Sequence, residues 1–201
     1  MFEQWVGKQL RSPRGILSKW VASYMENGNH DINEWTINLM DICPHERILE
    51  IGTGSGAALY RIAEMLEGGK ACGIDASKSM VKQGMRRIRH VKEEGKAELK
   101  LGHAEQIPYP DRSFHKVFSV HTIYFWTDFK QALKEIYRVL QVDGTLFLAV
   151  HLEGQMKKSK KTKGFSLYSE EQIKQLLEES HFRDITVHMN KNYCCISAVK
   201  S

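Results

Sequence analysis

The sequence predicts an α/β fold: a doubly wound, mostly parallel sheet of seven strands, with a C-terminal antiparallel hairpin and an N-terminal helical cap. Three observations predict it. From Arg47 to His151, short β-branched and leucine-rich runs alternate with stretches of helical period, the pattern of a parallel sheet covered on both faces. The first run ends in a glycine loop, Gly52-Thr53-Gly54-Ser55-Gly56, and a helix pattern follows at once. The last two β-like runs are joined only by Asn190-Lys191-Asn192, too short for a crossover, so they pair antiparallel.

The elements follow in order. Ile16, Leu17, Trp20, Val21, Tyr24 and Met25 recur at helical spacing after Pro13-Arg14-Gly15. Asn27-Gly28-Asn29 breaks that helix, and Asp31, with Glu34 three residues on, opens a second one that buries Ile32, Trp35, Thr36, Leu39 and Met40. After the strand at 47–52, Ala57 to Leu66 form a helix that stops at Gly68-Gly69. Lys70 to Asp75 is the second strand, and Ser77 caps a helix carrying Met80, Val81, Met85 and Ile88 inward as far as Gly95. Ala97, Leu99 and Leu101 alternate with Glu98 and Lys100, a strand of period two. Phe114 to His121 is the fourth strand. Phe129 to Leu140 is one helix face, ended by Asp143-Gly144, and Gly144 to His151 is the fifth strand. Ser169 and Gln172 make a capping box for the last helix, before the strands Asp184–Met189 and Tyr193–Lys200.

At 201 residues with 42% hydrophobic and 26% charged content, the chain fits one domain with a sizeable core, divided into a helical lid over 1–43 and a ligand-binding core over 44–201. The net charge of +5 is spread over 29 basic and 24 acidic residues and demands no anionic partner. No apolar run reaches the ~20 residues of a membrane span, and the N-terminus lacks a signal-peptide pattern. Cys43, Cys72, Cys194 and Cys195 form no C-x-x-C pair and read as small buried hydrophobes in a reducing cytosol. The expectation is a cytoplasmic protein with no membrane segment and no metal.

The glycine loop alone leaves the ligand open, since Gly52, Gly54 and Ala57 also satisfy a loose dinucleotide pattern. Asp75, ending the second strand, suits the two hydroxyls of a ribose in either case. Glu50 separates the two. It lies inside the first strand, where a carboxylate needs a partner, and it repels a pyrophosphate while attracting an amino group and a sulfonium. An edge position or an ion pair with Arg47 or Arg61 is its plain structural explanation.

Ile48-Leu49-Glu50-Ile51-Gly52-Thr53-Gly54-Ser55-Gly56 resembles the first motif of class I S-adenosylmethionine-dependent methyltransferases, and Gly73-Ile74-Asp75-Ala76-Ser77-Lys78-Ser79-Met80 resembles the second. Ala104-Glu105-Gln106-Ile107-Pro108-Tyr109-Pro110-Asp111-Arg112-Ser113-Phe114 is similar to the stretch before the fourth strand in the branch with ubiquinone, menaquinone and biotin-pathway methyltransferases. The resemblance spans about residues 45–200 and implies a Rossmann-like methyltransferase fold with S-adenosyl-L-methionine as cofactor. It implies that Gly52, Thr53, Gly54 and Gly56 pass under the methionine part, that Glu50 lies near its amino group, and that Asp75 holds the ribose. Ala76 and Met80 would line the adenine, and Ala104 and Glu105 would meet its edge; Met80 fits plain helix core equally well. The chain departs from the family at His103 and His115, where aspartate is common, and at His181, where glycine is common.

Methyl transfer by in-line displacement needs an aimed nucleophile and a dry site more than a base. The acceptor side is expected at the end of the fourth strand, His121 to Trp126, with His121 as candidate general base near neutral pH and Tyr124 and Trp126 as stacking surfaces. Trp20, Tyr24 and Trp35 would wall it from the lid, unless that segment simply covers the sheet. The proline-rich and cysteine signatures of base-modifying enzymes are missing from 119–126, which argues against nucleic acid and for a small-molecule acceptor. Two alternatives stay open: a non-catalytic S-adenosylmethionine-binding partner or regulator, and an RNA methyltransferase using the lysine run at 157–163.

Overall fold

The computed structural model describes residues 18–151, 166–191 and 193–201, with the side chains of the first helix described from Gly28 onward. The lysine run at 157–163 and the side chains of Trp20 and Tyr24 lie outside the described residues.

Helix α1 (Ser18–Leu39) leads into β1 (Arg47–Ile51), α2 (Ala57–Met65), β2 (Lys70–Asp75), α3 (Lys78–Arg87), α4 (Arg89–Glu93) and β3 (Ala97–Leu101). Then come β4 (Phe114–Val120), a 3-10 turn (Ile123–Phe125), α5 (Phe129–Val139), β5 (Leu140–His151), α6 (Glu170–Glu179), β6 (Phe182–Asn190) and β7 (Tyr193–Lys200). The strands form one seven-stranded sheet in the order β3-β2-β1-β4-β5-β7-β6. The first five are parallel, and β7 runs antiparallel to both β5 and β6. The expected doubly wound sheet with a terminal hairpin is the fold observed.

Period-two alternation divides the core. Leu49, Ile51, Val117 and Leu146 face α5 and α6, while Ile48, Ala71, Phe118 and Phe147 face α1, α2 and α4. Both faces of the central strands are therefore buried. The sites where polar groups can remain accessible are the strand ends.

Three local expectations give way. Helix α1 runs unbroken through Asn27-Gly28-Asn29, so Asp31 is an interior residue and not a cap. An interior glycine costs only about 1 kcal/mol, and burial of Ile32, Thr36, Ile37 and Met40 on the sheet outweighs it. The helix after β2 divides at Ile88 into α3 and α4. Helix α5 stops at Val139, short of Asp143-Gly144, because Leu140 already pairs with Phe114 of β4. The Ser169–Gln172 capping box forms as its spacing predicts. All four cysteines are free; Cys72, Cys194 and Cys195 are buried, but Cys43 is exposed.

Candidate active site at the carboxyl ends of strands one, two and four

The strand order reverses between β1 and β4, and the loops leaving their carboxyl ends must part there. The glycine loop fills this crevice. Gly52 and Thr53 donate their amides to the Ile74 carbonyl at 2.8 and 3.1 Å, which curls the loop over the end of β2. Its glycines serve different purposes. Gly52 has φ of 82°, and a Cβ there would overlap Thr122 Cγ2 just past β4. Gly56, at φ 80°, sits where a Cβ would lie 3.1 Å from the Gly84 Cα of α3. Gly54, at φ 54°, faces open space, with nothing within 4 Å of a Cβ. Only a left-handed residue with no side chain leaves that opening.

Two carboxylates flank the loop. Asp75 Oδ2 accepts the Gly54 amide and Oδ1 accepts the Ser77 amide, both at 2.8 Å. Each oxygen keeps a lone pair for a further donor. Burial raises the Asp75 carboxyl, while those two amides and nearby His103 oppose the rise. Glu50 stands opposite Gly73 of β2 and Phe118 of β4 and is 4% exposed. Burial, reinforced by the Asp75 charge, pushes its carboxyl well up, and the Leu59 amide in the first turn of α2 opposes this. Its Oε2 has no hydrogen-bond partner among the described residues. A buried carboxylate oxygen without a donor costs free energy that a bound N–H returns. An amino group, ribose hydroxyls and a nearby positive charge are the groups this set of acceptors suits, and S-adenosylmethionine carries all of them.

Of the residues expected to border the adenine, Ala76 is exposed and Met80 and Ala104 are buried. The Glu105 carboxylate is turned to the loop after β4, where it accepts the Thr127 amide at 2.5 Å and the Thr127 hydroxyl at 2.9 Å. His103 is exposed. The other histidine departures have structural roles. His115 Nδ1 accepts the Arg47 amide at 3.0 Å, and His181 adopts φ of 66° in the place where glycine is common.

Past β4, Ser119 and Thr122 share a hydroxyl–hydroxyl hydrogen bond beneath Gly52. Trp126 is 7% exposed and packs on Phe129 at 5.2 Å. Tyr124 is buried too, and its hydroxyl accepts the His151 amide at 3.1 Å. Trp35 of α1 meets Tyr193 at 6.4 Å. The ring of His121 stacks on His151 at 4.1 Å and 15°. Burial first, and His151 second, push the His121 imidazole down to about 3. The expectation of a base titrating near neutral pH does not hold, because a ring enclosed in this way resists charging. Sequence pattern alone does not single out His151 or Tyr193. They meet His121 only through the register that sets His151 opposite Tyr193, which local pattern does not reveal.

Residues 49–148 match the family model described as methyltransferase domain. YrhH of Bacillus subtilis (strain 168), which carries a methyltransferase name, is 40% identical over 169 residues, 84% of this chain and 86% of that protein. The ubiquinone/menaquinone biosynthesis C-methyltransferase UbiE of Geotalea daltonii is 30% identical over 115 residues, 57% of this chain and 49% of that protein. A crystal structure of a SAM-dependent methyltransferase from Aquifex aeolicus has the same fold, with a TM-score of 0.71 at 21% identity over 84% of this chain and 89% of that one.

Proposed function

The chain belongs to the methyltransferase-domain family and is an S-adenosylmethionine-dependent methyltransferase; on that footing we propose that it methylates a small organic molecule held at the ends of β4 and β5. The observation that carries the cofactor's placement is the buried Glu50 and part-buried Asp75 beside the open face of Gly54. When bound, S-adenosylmethionine supplies a methyl group on a positively charged sulfur, which a nucleophile displaces in line. Glu50 Oε2 accepts the amino group, Asp75 accepts the ribose hydroxyls, and Gly52, Thr53, Gly54 and Gly56 present backbone to the chain between them. Met80, Ala76, Ala104 and the backbone at Glu105 border the adenine. Helix α1 closes the acceptor side through Trp35 and excludes water, which strengthens each of these polar contacts. The biosynthetic role in the name of the Geotalea daltonii relative supports a small organic acceptor. Buried free thiols at Cys72, Cys194 and Cys195 support a reducing, cytoplasmic setting.

Calorimetric titration with S-adenosylmethionine and S-adenosylhomocysteine tests the seat. Asp75→Ala should weaken both about 10²-fold or more, the equivalent of two hydrogen bonds to a charged group. Unchanged affinity in that variant overturns the assignment of Asp75.

A further inference from the structure

Building on the methyltransferase reading, we propose that His121 and His151 form the acceptor's hydrogen-bonding seat, and that it takes an uncharged planar molecule bearing a hydroxyl. The seat lies where two strand ends meet the cofactor loop. His121 follows the last residue of β4 and precedes Thr122, whose methyl group packs against Gly52. His151 ends β5, opposite Tyr193 of β7. Tyr193 stands 5.2 Å from His151 and 6.4 Å from His121, and Tyr124 lies 6.3 Å from His121 at 22°.

The His121 ring is not satisfied by packing alone. Both ring nitrogens are buried, and neither has a hydrogen-bond partner among the described residues. A buried polar atom left without a partner costs about 1–3 kcal/mol, so such atoms are rare outside places where a ligand completes them. The backbone of His121 is left-handed, at φ 56°, a region that histidine, like asparagine and aspartate, enters more readily than most side chains.

The chemistry of the pair selects the ligand. Burial and His151 are the influences on the His121 ring, and both favour its neutral form. A neutral imidazole offers one donor and one acceptor, and a hydroxyl both gives and takes a hydrogen bond. The imidazoles stack on one another, and the Tyr193 and Trp35 rings beside them add the aromatic surface that suits a flat molecule. A carboxylate would lose its hydration here, and no cationic side chain among the described residues stands against the His121 imidazole to replace it. An ammonium is the rival occupant, since the Tyr193 and Trp35 faces attract cations.

The test uses the full chain saturated with S-adenosylhomocysteine, with the histidine ring signals followed by NMR during titration with phenol, benzoate or benzylammonium. Phenol should move the His121 and His151 signals and bind more tightly than either ion. His121→Leu should weaken phenol about five- to tenfold, the equivalent of one net hydrogen bond. His151→Phe, which keeps the stacked face, should weaken it as well, and His121→Asn should recover part of the loss. The idea is overturned if phenol leaves the histidine signals in place, if benzoate or benzylammonium binds more tightly, or if the two variants that retain S-adenosylhomocysteine bind phenol as the parent does. Failure of S-adenosylhomocysteine itself to bind would instead remove the methyltransferase reading, and the seat with it.

Discussion

Glu50 and the loop glycines set the chemistry at the scale of single residues. Glu50 carries a carboxyl raised well above its ordinary 4.5, so ionising it within the folded chain is costly. Its contribution to stability is therefore full below about that value and falls as pH rises through the folded-state value. A bound cation reverses the preference. S-adenosylmethionine should release a proton as it binds in that window, and affinity should rise with pH; calorimetry in buffers of different ionisation enthalpy reads the release, and Glu50→Gln should abolish it. The glycines make a second contrast. Gly52→Ala forces a Cβ into Thr122 and should cost about 2–4 kcal/mol, measured by urea unfolding. Gly54→Ala meets open space and should cost only about 1–2 kcal/mol for its left-handed backbone. Yet it should lose most cofactor affinity, because its methyl group fills the approach. Equal affinity in parent and Gly54→Ala would show that the ligand passes elsewhere. Glu50 was legible in the sequence, since a carboxylate inside an apolar strand is conspicuous. The true surroundings of His121 were not, because burial and the His151 ring come from β5 and β7, far along the chain.

Among the elements, α5 holds the loop before β4 in place. Arg138 on α5 uses every guanidinium N–H: Nε and Nη2 donate to Glu135, Nη1 to the Tyr109 carbonyl and Asp111, and Nη2 also to the Ile107 carbonyl, all at 2.8–2.9 Å. Glu135 in turn accepts the Ile107 amide at 2.8 Å. Glu105 ties the near end of the same loop to Thr127 at the start of α5. Arg138→Ala should cost about 2–4 kcal/mol, because it strands the Tyr109 carbonyl and takes the guanidinium from Glu135 and Asp111. Arg138→Lys should recover less than half of that, since a point charge cannot span the fork. Urea midpoints with an unchanged m-value check both. A loss below about 0.5 kcal/mol in the alanine variant would mean that the loop holds its shape by packing alone. Periodicity made α5 legible, along with the strands and the capping box of α6, because each reports on local contacts. It failed at α1, where the Asn-Gly-Asn signal is local and the opposing term, burial against β4 and β5, is not. It failed again at the end of α5, where pairing of Leu140 with β4 competes for the last turn.

At the scale of the molecule, the order β3-β2-β1-β4-β5-β7-β6 gives the site its position and its energetics. Turn length predicted the antiparallel pair, but which of its strands lies inside was decided by burial. Cys194, Cys195 and Ile196 of β7 are fully covered, whereas Arg183, Asp184 and Thr186 of β6 face solvent. Placing β7 inside brings Tyr193 beside His151, in the ring cluster proposed to seat the acceptor. The cofactor side draws on β1, β2 and β4 at once, and none of these central strands can open alone without breaking the sheet. Ligand binding should therefore stabilise the whole chain and not a single lobe. At about one hundred times its dissociation constant, a ligand of the folded state adds ~2.7 kcal/mol. For a chain of this length that raises Tm by roughly 5–11 °C. S-adenosylhomocysteine should produce this shift as a single cooperative transition, by calorimetry and by far-UV circular dichroism alike. Two transitions, with only the first moved by ligand, would show that the Gly52–Asp75 region unfolds separately from the hairpin and α6. A single transition displaced in the parent and unmoved in Asp75→Ala ties the added stability to the carboxylate that joins β2 to the glycine loop.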